Sequence, residues 1–180
     1  MIYVQHKRRK INNIKKDFPD AIIVDVTSKG TMPMVQFSPF YPIENIPIPF
    51  SPDHFSESME GIWQGLKVFN GHGIDISKFK ITSMKGLKRT VRKFGIPKGH
   101  QKGIESNELL DYITARKLIY LPAYKWILDN KLTREIAQLK ALAAKQTLIL
   151  LDYETNGDVE NPNKPLSHAH LVKMRLEGTF

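Results

Sequence analysis

The sequence has no cysteine, which excludes disulfides, thiolate metal sites and cysteine nucleophiles and leaves stability to packing. It has no apolar run near the roughly 20 residues that a bilayer-spanning helix needs. The basic start, Met1 to Lys10, is not followed by the apolar segment of a secretory signal. The expectation is a cytoplasmic protein without a membrane partner. Internal repeats and low-complexity tracts are also missing, so one domain is expected over 1–180. Acidic residues are few: 18 against 27 lysines and arginines, a formal net charge of +9. The excess is uneven. Lys7, Arg8, Arg9, Lys10, Lys15 and Lys16 crowd the start, and Lys85, Lys88, Arg89, Arg92, Lys93, Lys98 and Lys102 share a stretch without one acid. That pattern fits an anionic partner, nucleic acid or a phosphorylated small molecule, or else an ordinary solvated surface. A hydrophobic fraction of 41% and a charged fraction of 25% are normal globular values, which excludes disordered, collagenous and coiled-coil classes.

Ala21 to Thr27 and Thr147 to Tyr153 are short β-branched or aliphatic runs between turn signals and read as buried strands. Pro33 to Pro52 holds six prolines, whose fixed φ and missing N–H predict a rigid extended loop. A helix is predicted from about Glu57 to Phe69, capped by Ser56 or Ser58, with Met59, Ile62, Trp63, Leu66 and Phe69 facing the core. A second, from Ser83 to Phe94, stops at Gly95 and carries a basic face. A third begins after Ser106 and meets a kink or restart at Pro122. A fourth follows Thr133, and the last runs from Ser167 to near Gly178. The class is α+β, mostly helical with a small sheet.

Glu60, Gln64 and Lys67 stand at i, i+4 and i+7, so a carboxylate, an amide and an ammonium form one polar stripe beside the apolar face. The same spacing also describes the wet side of any amphipathic helix. Phe37-Ser38-Pro39-Phe40 precedes this stripe by about twenty residues. A phenylalanine-serine-x-phenylalanine loop followed by Glu-x-x-x-Gln-x-x-Lys resembles the NADAR (YbiA-like) family, and the resemblance covers roughly 21–177. The chain departs from that pattern at Pro39, at Gly61 and over Thr155 to Asp158, where the family has asparagine, histidine and Trp-Gly.

The resemblance implies an N-glycosidase acting on an ADP-ribosylated guanine or a ribosylamino nucleotide. By match, Glu60 is the main catalytic carboxylate, Gln64 and Lys67 flank it, and Phe37, Ser38 and Phe40 form the loop lining the pocket. Trp63 stacks on a base or packs in the core. Asp158 is a candidate second carboxylate and Asn156 a holder of a ribose hydroxyl, unless Asn-Gly-Asp simply makes a turn. A fixed carboxylate suits the chemistry because breaking a glycosidic C–N bond develops positive charge on the ribose. Arg89 and Arg92, three apart on the basic helix, are candidates to grip a pyrophosphate. His168, just after its Ser167 cap, is a candidate pocket residue. His168 and His170 point apart on a helix, so no shared metal is predicted, and no cofactor. The alternative function is a non-catalytic binder of nucleic acid or of an ADP-ribose-type nucleotide.

Overall fold

The computed structural model describes residues 1–180. The elements run in chain order β1 (Ile2–His6), α1 (Ile11–Asp17), β2 (Ile22–Asp25), a 3-10 turn (Met34–Phe37), β3 (Ile46–Pro47), β4 (Phe55–Ser56), α2 (Met59–Gly65) and β5 (Lys67–Phe69). They continue with a second 3-10 turn (Ile76–Lys80), α3 (Val91–Phe94), β6 (Pro97–Gln101), β7 (Leu109–Leu110), α4 (Tyr112–Ala115), a π-helical stretch (Arg116–Tyr120), α5 (Leu121–Asn130), α6 (Thr133–Lys145), β8 (Leu148–Asp152) and α7 (His168–Glu177). The class is α+β with small sheets. The chain forms two compact units, Met1–Ser38 with Leu128–Phe180, and Pro39–Ile127.

In the first unit an all-parallel sheet has the order β1-β8-β2. Its central strand is buried at every position, as expected for a parallel strand covered on both faces. Side chains alternate. Ile149 and Leu151 meet Ile14 of α1, together with Tyr3, Phe18 and Ile23. Leu148, Leu150 and Asp152 therefore point to the opposite face. There Asp152 Oδ2 accepts the Ser167 hydroxyl at 2.7 Å and the Ala169 N–H at 3.2 Å, and pairs with His168 Nδ1 at 3.0 Å. The start of α7 is thus tied to the end of β8. Ser167 also caps the helix, its Oγ accepting the His170 N–H at 3.2 Å, and Gly178 ends it in the left-handed region at φ 76°.

The second unit has an antiparallel sheet, β5-β6-β7, and a two-stranded one, β3-β4. In α2, Gly61 and Gly65 lie one turn apart against the Ile76–Lys80 turn. A Cβ on Gly61 would come 2.7 Å from the Lys78 carbonyl oxygen, and one on Gly65 would come 2.2 Å from the Phe79 ring. This contact is why glycine stands at 61. Further on, Pro122 lacks the N–H that an α-helix would direct to the Leu118 carbonyl, and the helix passes through with a widened π stretch just before it.

Several sequence expectations are corrected. The helix predicted to Phe69 ends at Gly65, because the chain turns into β5 and pairs with β6. The helix predicted over 83–94 is only Val91–Phe94, since Gly86 adopts φ 76° and breaks the earlier part. Leu109 and Leu110 pair with β6 as a strand, and the helix starts at Tyr112 with Asp111 as its cap. The N-terminal segment, read only as basic, contains β1 and α1.

The Asp152–His168 pair generates a test. Burial opposes the charge on His168, yet the Asp152 carboxylate and the Val26 carbonyl, which accepts from Nε2 at 2.9 Å, raise its pKa. Burial likewise opposes the Asp152 charge, and the His168 imidazolium outweighs it and lowers the carboxyl. The His168 contribution is complete below the ordinary histidine range and is lost as pH rises through the raised value. That of Asp152 is complete above the ordinary carboxylate range and is lost as pH falls through the lowered value. His168→Ala strands a buried carboxylate and should cost about 3–5 kcal/mol in urea unfolding near neutral pH. If wild type and variant unfold at the same urea concentration, the pair is not a stabilising clamp.

Candidate functional site

Ser58 starts α2, its Oγ accepting the Gly61 N–H at 3.0 Å, and the Glu60 N–H donates to the Pro39 carbonyl at 2.8 Å. The second bond ties the proline-rich loop to the helix. With Gly61 and Gly65 against the 3-10 turn, the neighbouring i, i+4 pair Glu60 and Gln64 projects together. Gln64 Nε2 donates to Glu60 Oε1 at 2.8 Å, while Gln64 Oε1 accepts the Lys67 ammonium at 3.2 Å and the Arg89 backbone N–H at 2.9 Å. A backbone N–H can only donate, so the Arg89 contact settles which way the amide faces. The other Glu60 oxygen accepts no hydrogen bond from the protein and is not sealed from solvent, the residue keeping 8% exposure.

Burial pushes the Glu60 carboxyl up, against the opposing pull of Gln64, Lys67 and Lys88. Burial also pushes the Lys67 ammonium down, opposed by Glu60 and reinforced by Arg89 and Lys88. Both groups are therefore nearer to exchanging a proton at neutral pH than they are in water. Lys88 also stands over the Phe40 ring, 5.3 Å from its centroid. One carboxyl is thus near two ammonium groups, one of which lies over an aromatic ring.

On the next face of α2, Trp63 is half-buried and stacks on His100 with ring centroids 3.8 Å apart. Tyr112 and Tyr120 meet Trp63 edge-on at 5.9 and 5.5 Å. Arg116, 2% exposed, lies over the Tyr112 ring at 4.6 Å. His100 is 2% exposed, and neither ring nitrogen has a hydrogen bond of normal geometry. Burial and the nearby Lys67 push its pKa down to about 3, although the Trp63 backbone partly offsets this, so the ring is neutral. β5 pairs Lys67 with His100, which sets these two beside one another.

The other predicted residues divide. Phe37 is fully buried and packs as core, and Ser38 is buried as well. Arg89 is not on a helix with Arg92. Its guanidinium donates to the Lys67 carbonyl and, at 2.8 Å, to the Gly73 carbonyl, between the Phe69 and Phe94 rings. Arg92 is exposed on α3, so the expected pyrophosphate grip is corrected. In the first unit Asn156 Nδ2 donates to the Asp158 and Lys164 carbonyls at 3.0 and 3.4 Å, and its Oδ1 accepts the Asp158 N–H at 3.1 Å. Asp158 is exposed and accepts the Glu160 N–H at 2.8 Å. Asn-Gly-Asp makes a turn. His168 is taken up by Asp152 and Val26.

The chain belongs to DUF6939. This is a family of unknown function, and the DUF6939 match runs over residues 6–172. No curated protein and no solved structure matches the chain.

Sequence reasoning missed His100, Lys88, Arg116 and Asp152. The first two sit in the basic stretch and look like its other members, and Arg116 looks like any helical arginine. Asp152 closes an apolar run, and a carboxylate at the end of a buried strand is the signal that marks it.

Two variants test the carboxyl. Glu60→Gln removes an ionisation that burial disfavours, so stability at neutral pH should hold or rise. Gln64→Leu strips partners from Glu60, Lys67 and the Arg89 N–H and should cost about 1–3 kcal/mol. Equal destabilisation of both in chemical denaturation would make Glu60 a structural member of the network and nothing more.

Proposed function

We propose that the Glu60 cluster is the active site of an N-glycosidase that hydrolyses an ADP-ribosylated guanine or a ribosylamino nucleotide. The observation carrying this reading is the Glu60 carboxyl itself, buried, with one oxygen held by Gln64 and the other open. A carboxyl raised toward neutral pH serves well as a general base or acid. The ordered motifs around Phe37 to Phe40 and Glu60 to Lys67, similar to those of NADAR proteins, support the same reading. Lys88, which stands over the Phe40 ring and acts on the Glu60 carboxyl, would meet an anionic substrate beside the open oxygen.

In the proposed reaction, water attacks the anomeric carbon as the bond to the base nitrogen breaks. Glu60 takes a proton from the water as the new C–O bond forms, and its charge stabilises the cationic sugar in between. Lys67, its pKa depressed, hands a proton to the departing nitrogen. The exposed Lys85, Lys88, Arg92 and Lys93 supply a positive approach for a phosphate-bearing substrate.

Those same exposed cations favour a second reading, a nucleotide or nucleic-acid binder that does not cleave. The experiment separates the two. The protein is incubated with DNA bearing ADP-ribosylated guanine and with a ribosylaminopyrimidine phosphate, and release of ADP-ribose or base is followed by mass spectrometry. Release is expected from one of them, falling about 10²- to 10⁴-fold in Glu60→Gln. Activity should decline in acid from a pH above the ordinary glutamate range, as the raised carboxyl is protonated. Binding without release, or full activity in Glu60→Gln, overturns the enzyme.

A further inference from the structure

The parallel sheet of the first unit has a crevice at the carboxyl ends of its strands. β1 leads into α1, which covers the face carrying Ile149 and Leu151. β8 leads to α7, whose first residues bind Asp152 on the opposite face. Neighbouring strands whose chains leave to opposite faces part at their carboxyl ends, and in open α/β sheets ligands bind in that gap. Here the gap is a cleft of about 450 Å³ lined by His6, Arg8, Tyr153, Glu154, Asn156 and Lys164, with Thr155. Its residues are the last of β1, the next turn, and the loop after β8. The volume lies in the range of small-molecule sites.

The lining is built and held. The Arg8 N–H donates to His6 Nδ1 at 3.1 Å, which leaves Nε2–H as the ring's donor. Ser167 N–H donates to the Asn156 carbonyl at 2.8 Å, and the Asn156 side chain is tied to Asp158 and Lys164. Gly157 lies against the His170 ring, where a Cβ would come within 2.5 Å. The loop is therefore preorganised, with Asn156 shaping the wall. Arg8 is exposed beside it, with His6 next to it on the same wall and Glu154 the one acid of the lining.

We propose that this cleft binds a phosphomonoester of a small polyol or sugar. Arg8 and the His6 Nε2–H would meet the phosphate, for which guanidinium gives bidentate hydrogen bonding, and Glu154 would accept from a sugar hydroxyl. The proposal does not rest on the Glu60 reading, which concerns the other unit.

The test is a titration of the full chain with ribose 5-phosphate, inorganic phosphate and ribose, read by ¹H–¹⁵N chemical shifts. Ribose 5-phosphate should shift the amides of Arg8 and of Tyr153 to Asn156 saturably, inorganic phosphate more weakly, and ribose not at all. Arg8→Ala, at an exposed position, should keep the rest of the spectrum and weaken ribose 5-phosphate binding about 10-fold or more. Glu60→Gln should bind as wild type does. Absent shifts with ribose 5-phosphate, equal shifts with ribose, or undiminished binding by Arg8→Ala overturns the site.

Discussion

The buried carboxylate of Asp152 is the point on which the first unit is organised. It sits at the end of the central strand, where Oδ1 accepts the Tyr153 N–H and Oδ2 receives a hydroxyl, a backbone N–H and an imidazolium from Ser167, Ala169 and His168 at the start of α7. A buried charge with fewer partners would be expensive, so the sequence must deliver Ser167, His168 and Ala169 there together. Once they arrive, the direction of α7 and the face it covers are set. The crevice between β1 and β8 is a result of that choice of face.

The second unit solves a similar problem with an amide. Gln64 joins a carboxyl, an ammonium and a backbone N–H from three separate segments. Its neighbours on the helix, Gly61 and Gly65, have no side chain because the Ile76–Lys80 turn lies against them. Close packing on one face thus exposes a polar pair on the next. The two units handle buried charge differently: Asp152 is surrounded by donors and stays ionised, whereas Glu60 has one strong donor and is raised.

Legibility in the sequence followed the length and purity of each pattern. β8 was readable because a parallel strand buried on both faces is a continuous apolar run, β2 because its half-buried residues are β-branched between turn signals, and α7 because Ser167 and Gly178 mark its ends. β1, with Tyr3, Gln5 and His6 among its five residues, has no such purity, and its pairing with β8 comes from the far end of the chain. The strand at Leu109 exists only through its pairing with β6, and the break at Gly86 lies in one left-handed backbone angle, neither of which shows in the residue pattern of its own segment. The Glu60, Gln64 and Lys67 stripe was legible from spacing, although Lys67 keeps its place through β5 and not through a continued helix. Arg89 misled because its charge suggested a ligand, whereas its guanidinium serves two carbonyls and two rings.

The widened turn at Arg116–Tyr120 has a geometric consequence for the aromatic group around Trp63. In a regular α-helix, residues eight apart overrun two turns by about 80°, so Tyr112 and Tyr120 would point in different directions. A π stretch turns less per residue and absorbs that overrun. Both tyrosines then meet the same indole in edge-type contacts from one continuous helical run. The spacing of this tyrosine pair about the indole is thus written in the winding of the helix and not in the rings themselves.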